Sequence, residues 1–202
     1  MEHSRTVYLT RLALLAAVEL LLAYTPLGYL KTFGLEISFL MIPVVIGAVM
    51  LGPLAGAVLG SLFGLTSFAT CFGASTFGAA LLSISPGATF LTCFGSRAAA
   101  GWLCGVFFQK LMRLSQRENL AISTASLVGP LLNTAFFMGS LVCFFYRTPL
   151  VQELVTKLGA GGPLSFIIGF VGVQGAVEAV VGFIVSGAVC RVLFRNAKKT
   201  AV

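Results

Sequence analysis

Apolar residues dominate this chain in long blocks, interrupted by short polar or glycine-rich stretches. From Ile42 to Phe68 there is no charged residue, and Gly52-Pro53 divides that block into two apolar arms. A Gly-Pro step ends one helix and starts another, so the pattern predicts a helical hairpin across a bilayer. The second arm repeats glycine at 52, 56, 60 and 64, which places the four on one helical stripe. Such a stripe lets another helix approach backbone to backbone, although glycine is also simply frequent in membrane helices.

The other blocks extend the pattern. A first span is expected over 7–24, with Glu19 well inside it; the hairpin supplies spans at 36–51 and 54–70. Further spans are expected over 88–112, carrying Arg97; 121–145, with Gly129-Pro130 as a kink just before Asn133; and 164–194, with Gln174 and Glu178 beside Gly172, Gly175 and Gly182. Between them lie Thr25–Glu36, rich in turn formers and aromatics, and a polar stretch from Arg147 to Pro163 containing the amphipathic piece V-Q-E-L-V-T-K-L. The segment from Ala69 to Gly87 is uncharged and rich in glycine, serine and threonine. It reads as an irregular loop, either a lid over a small ligand or a plain connection.

Composition sharpens this picture. Hydrophobic residues make up 58% and charged residues 9% of 202, with a mean hydropathy of +1.02, which leaves little room for a water-soluble domain. Long alternating segments are absent, so helices and not a barrel are expected: an all-α integral membrane protein of six transmembrane helices in a single domain, 1–202. The basic start at Arg5 and Arg11 resembles a signal peptide, but no small-residue cleavage site follows, so this segment reads as a retained span. Arg5, Arg11, Lys110, Arg113, Arg117, Arg191, Arg195, Lys198 and Lys199 fall on one side of such a bundle. Lys31, Arg147 and Lys157 fall on the other, which puts both termini in the cytoplasm.

The candidate chemistry lies in the few polar groups inside the spans. Glu19, Arg97, Asn133 and Glu178 sit roughly nine to fourteen residues from a span end, which at about 1.5 Å per residue is near the midplane. Ionisable groups there mark functional sites by default. Arg97 needs an anion: Glu178, Glu19 or a ligand carboxylate, and a permanent Arg97–Glu178 ion pair locking the bundle is the structural alternative. Asn133 and Gln174 offer donors and acceptors to a hydroxyl- or amide-bearing solute, or to backbone freed by the kink. Tyr29, Phe72 and Ser75, in the aromatic and glycine-rich loops, are further candidate substrate contacts. Trp102 reads as packing deep in its span. The five cysteines lack C-x-x-C spacing and are expected as buried packing.

Several chemistries are disfavoured. The chain has no phosphate-binding G-x-x-x-x-G-K-[ST] loop, no H-E-x-x-H, and a single histidine, His3. No enzyme activity, cofactor or metal is expected.

The sequence resembles the substrate-binding S components of energy-coupling factor (ECF) vitamin transporters. The likeness rests on R-L-A-L-L-A-A from Arg11 to Ala17, T-P-L-G-Y from Thr25 to Tyr29, the Ile42–Phe68 hairpin, and Arg97-A-A-A-Gly101. It implies six helices binding a vitamin or related micronutrient from outside the bacterial plasma membrane. It further implies that Ala13 and Ala17, as an A-x-x-x-A motif, dock on a transmembrane coupling (T) subunit, with a pair of ATPase subunits supplying energy. T-P-L-G-Y followed by I-P-V-V-I-G-A and F-G-L-T-S-F is most similar to the pantothenate group. The chain departs from that group in C-F-G-A-S-T-F-G, which replaces an asparagine-rich stretch, and in Ser96, where proline is usual. Two other readings use the same residues: an ion-coupled carrier or channel with Glu19 or Glu178 as the coupling acid, and a ligand-free structural protein.

Overall fold

The computed structural model describes residues 2–26, 28–32 and 35–200. The elements follow in order as α1 (Glu2–Ala23), strands β1 (Tyr29–Thr32) and β2 (Leu35–Ser38), α2 (Met41–Met50), α3 (Pro53–Thr70), α4 (Thr76–Ile84) and α5 (Pro86–Phe90). A π-helical turn (Leu91–Gly95) leads into α6 (Ser96–Ser115), followed by α7 (Glu118–Phe145), α8 (Pro149–Lys157) and α9 (Pro163–Thr200). Among the described residues, five helical stretches are long and apolar enough to cross a membrane: Arg5–Ala23, Pro53–Thr70, Pro86–Ser115, Glu118–Phe145 and Gln174–Asn196.

The predicted hairpin turn is present. Gly52 has φ 103°, a conformation open to glycine, and Pro53 opens α3, where its missing N–H costs nothing. The glycine stripe packs against α6. A Cβ on Gly56 would strike the carbonyl oxygen of Gly101, and one on Gly60 the carbonyl oxygen of Arg97; one on Gly64 would come within 2.6 Å of Phe94 Cα. The stripe therefore sets the backbone position of Arg97.

Three expectations need correction. The bundle is all-helical as expected, but the stretch before α2 is an antiparallel hairpin of β1 and β2, with Tyr29 opposite Ser38 and Thr32 opposite Leu35. Helix α2 accordingly begins only at Met41, and its buried face places Val44, Val45 and Ala48 at zero exposure. The stretch from Ala69 to Gly87 is not a plain loop, since α4 occupies its centre. Ser75 caps that helix by accepting from the Gly78 N–H at 3.2 Å, and Leu81 anchors it in the core. Trp102 is 47% exposed on the outside of the bundle, because α6 turns Ala100, Gly101, Cys104 and Gly105 inward instead. Helix α7 continues through Pro130, whose ring lies against Gly182 of α9.

Two apolar cores result. One gathers α2, α3, α6 and the first half of α7 around Val44, Leu59, Phe63 and Ile122. The other joins α4, α7, α8 and α9 around Leu81, Leu141, Phe145 and Phe166. The amphipathic α8 belongs to the second core, burying Val151 and Val155. Of the cysteines, Cys143 is exposed and the other four are buried.

Candidate functional site

A cavity of about 260 Å³ lies between the two cores, small beside typical ligand pockets of roughly 300–1,000 Å³. Its wall is built from α3 (Phe63, Ser67, Thr70), α4 and its cap (Ser75, Phe77, Leu81), the π-turn and α6 (Cys93, Arg97), α7 (Asn133, Thr134, Phe137) and α9 (Phe170, Gln174, Glu178); Ser38 of β2 joins them.

Arg97 is held without a carboxylate. Its Nη1 donates to the Cys93 carbonyl at 3.0 Å, and the guanidinium lies over the rings of Phe63 at 4.6 Å and Phe137 at 5.0 Å. Such faces attract a cation while leaving its in-plane N–H groups free to bind an anion. Among the described residues Arg97 forms no ion pair, and its buried Nε has no hydrogen-bond partner. The π-turn immediately before α6 inserts an extra residue into the helical ladder, a distortion frequent at functional sites.

Glu178, proposed above as one partner of Arg97, has other engagements. Its Oε1 accepts from the Ser38 N–H at 2.8 Å and from Gln174 Nε2 at 3.3 Å. The carboxylate thus ties the β-hairpin to α9 at the cavity wall. Asn133 is 8% exposed and its buried Oδ1 lacks a hydrogen-bond partner. The cavity therefore offers a cation on one wall, an amide oxygen awaiting a donor on another, and a carboxylate on a third. This suits a small solute with an anionic end and N–H or O–H groups along its length.

The structure brings Arg97, Asn133, Gln174, Glu178 and Ser75 of the predicted site residues together. It does not bring Phe72, which is 70% exposed and packs edge-on to Phe68 at 5.3 Å. The side chain of Tyr29 lies outside the described residues. Glu19 is fully buried near the Phe63 backbone but is not among the residues that line the cavity, and neither carboxylate oxygen has a hydrogen-bond partner; it forms no ion pair with Arg97. Ala13 and Ala17 are both exposed on α1.

Sequence reasoning missed Phe63, Ser67, Cys93, Phe137 and Phe170 as wall residues. A signal was present: stepping four residues along the same helix from Arg97, Asn133 and Gln174 lands on Cys93, Phe137 and Phe170, which share a helical face with those polar groups.

Residues 7–189 match the family described as "ECF transporter, substrate-specific component". The chain belongs to that family. It is thus a substrate-specific subunit of an ECF transporter and a multi-pass membrane protein. Membership accounts for a solute-sized cavity within a helical bundle that carries no ATP-binding loop of its own. None of the curated proteins matches the chain.

Proposed function

We propose that this S component captures a small carboxylate-bearing micronutrient, with pantothenate the best candidate, from outside the bacterial plasma membrane. The observation that carries the reading is Arg97: a cavity-lining guanidinium without a carboxylate partner among the described residues, in the same cavity as an amide oxygen that lacks a donor. A solute carboxylate would sit on Arg97, and its hydroxyl or amide N–H groups would reach Asn133 and Gln174. In this reading α2 completes six membrane helices, and both termini face the cytoplasm. The exposed Ala13 and Ala17 let α1 meet the coupling subunit closely, and a pair of ATPase subunits on that subunit drives release inside.

The test is mass spectrometry of small molecules released from the detergent-purified protein, beside an Arg97→Ala sample shown to be folded by its melting curve. A vitamin-sized acid in the first and not in the second supports the reading and names the solute. Equal retention by both, or no binding by either when pantothenate and other vitamins are added back, refutes it.

Glu19 favours a second reading, because a fully buried carboxylate without a hydrogen-bond partner is expensive unless its proton is used. An ion-coupled carrier would move solute in liposomes containing this chain alone. Transport that appears only when coupling and ATPase subunits are added excludes it.

A further inference from the structure

Arg97 and Glu178 are the charged side chains that line the cavity, and among the described residues they form no ion pair with each other. Each is held by contacts of its own. The Cys93 carbonyl and the faces of Phe63 and Phe137 fix Arg97. Glu178 on α9 is fixed through one oxygen only: Oε1 accepts from the Ser38 N–H at 2.8 Å and from Gln174 Nε2 at 3.3 Å. Its Oε2 takes no hydrogen bond among the described residues, yet it is not one of the enclosed polar atoms, so it stays open to approach. Aromatic rings line much of the same wall, Phe77 and Phe170 meeting at 5.6 Å, so charges there are screened less than at a wet surface. Opposite charges pinned separately in one small cavity are costly to a bundle that has no use for them.

We propose that Glu178 is the specificity-determining residue of this cavity: Oε2 receives a donor group of the solute remote from its carboxylate, and the charge of Glu178 excludes solutes with a second anionic group. With the solute's carboxylate on Arg97, as in the reading above on which this rests, Glu178 is the one charge left facing the rest of the solute. An ammonium there gains a charge-assisted hydrogen bond and a hydroxyl gains a weaker one. A second carboxylate or a phosphate meets a like charge that Ser38 and Gln174 hold in place from behind, which is selection by repulsion. The solute class is therefore a monocarboxylate with a donor at its far end, up to an amino-acid-like zwitterion, and not a dicarboxylate or a phosphate ester. Pantothenate, with one carboxylate and its hydroxyls at the other end, falls inside this class.

The test measures melting-point shifts and calorimetric affinities of the full-length, detergent-purified protein for straight-chain acids that differ only at the far end. At each chain length an ω-amino acid, an ω-hydroxy acid and a dicarboxylate are compared. For the wild type the expected order is amino, hydroxy, dicarboxylate, with the last weaker than the first by about a hundredfold or more. Glu178→Gln keeps an oxygen for the Ser38 N–H, and its melting curve without ligand checks that it is folded. In it the order should flatten to within about tenfold, with the dicarboxylate binding more tightly than to the wild type, a gain that a merely structural role would not produce. The same order in both proteins, a wild type that binds the dicarboxylate as well as the ω-amino acid, or no binding of any member overturns the proposal; the second and third of these need no variant. Arg97→Ala separates this from the reading beneath it. Unchanged binding of the whole set in Arg97→Ala shows that the carboxylate is not on Arg97, whereas lost binding there beside an unchanged order in Glu178→Gln overturns the role of Glu178 alone. The probes are not vitamins, so the outcome does not depend on whether pantothenate binds.

Discussion

Replacing Gly60 by alanine tests the contact on which the site's geometry depends. A Cβ there would collide with the Arg97 carbonyl oxygen and lie 3.0 Å from the Arg97 carbonyl carbon and 3.2 Å from Ala98 Cα. All three are backbone atoms, so no side-chain rotation relieves the overlap. Carbon atoms meet best at about 3.5–4.0 Å, which requires α3 and α6 to separate locally by roughly 0.5–1 Å. Overpacking of this kind costs about 1–3 kcal/mol, and here it also forfeits close helix packing in lipid. Gly60→Ala is therefore expected to melt below the wild type in a fixed detergent and to bind solute more weakly, because Arg97 moves with its backbone. Gly139→Ala on α7 is the control: nothing lies within 4 Å of its added Cβ. Alanine in a helix should leave its melting point unchanged or raised by an effect of about 0.4–1 kcal/mol. A Gly60→Ala protein that melts at or above the wild type would show that the stripe is not a close backbone contact, and the placement of Arg97 would need another explanation.

Other outcomes follow from the same geometry. Glu178→Ala removes the acceptor of the Ser38 N–H, and leaving a part-buried donor unsatisfied costs about 1–3 kcal/mol. Deuterium uptake at residues 35–38 should rise, while Glu178→Gln, which keeps an acceptor oxygen, should restore much of the protection; unchanged uptake in Glu178→Ala would remove the hairpin tie. Ala13→Leu and Ala17→Leu should abolish uptake by cells while leaving binding to the purified protein intact, and normal uptake in either would discard the docking role. On α8, Lys157 lies 2.7 Å from Glu153 and holds its carboxyl below the usual carboxylate range. A depressed folded-state pKa gives a contribution present above the ordinary carboxylate range and lost as pH falls through the depressed value. Both partners are exposed, so the melting curves of wild type and Glu153→Gln should differ, if at all, only at neutral pH and low salt, and coincide in acid.

Much of the fold was legible because the local rules of a bilayer are strict. An uncharged run must satisfy its own backbone, so Ile42–Phe68 had to be helical, and Gly52-Pro53 was the place where it could turn. Glycines four apart share a stripe whatever surrounds them, and polar groups in the middle of apolar spans stand out by their cost. This is why Arg97, Asn133, Gln174 and Glu178 could be named and were found together. Local pattern was weaker wherever composition permits more than one backbone. The uncharged stretch from Ala69 to Gly87 holds enough turn formers to look irregular, and only the burial of Leu81, with Ser75 and Ser85 capping successive helices, makes it α4 and α5. Strands β1 and β2 depend likewise on partners that no periodicity announces.

The sequence by itself determined that this is a helical membrane protein, where its central turn lies, and which few polar residues a bilayer would tolerate only for a reason. What it could not decide is who meets whom. Arg97 had two acids to choose from, and only the packing shows Glu178 held by Ser38 and Gln174 while Glu19 is buried and not among the residues that line the cavity. Cys71 and Cys93 carry no spacing motif, yet the fold puts both in the wall of one cavity. The physical reason is the same in both cases. Depth in the membrane is set by distance along one helix, which a sequence records directly, whereas contact across the bundle depends on helix rotation and crossing, which are settled only when every packed face is satisfied at once.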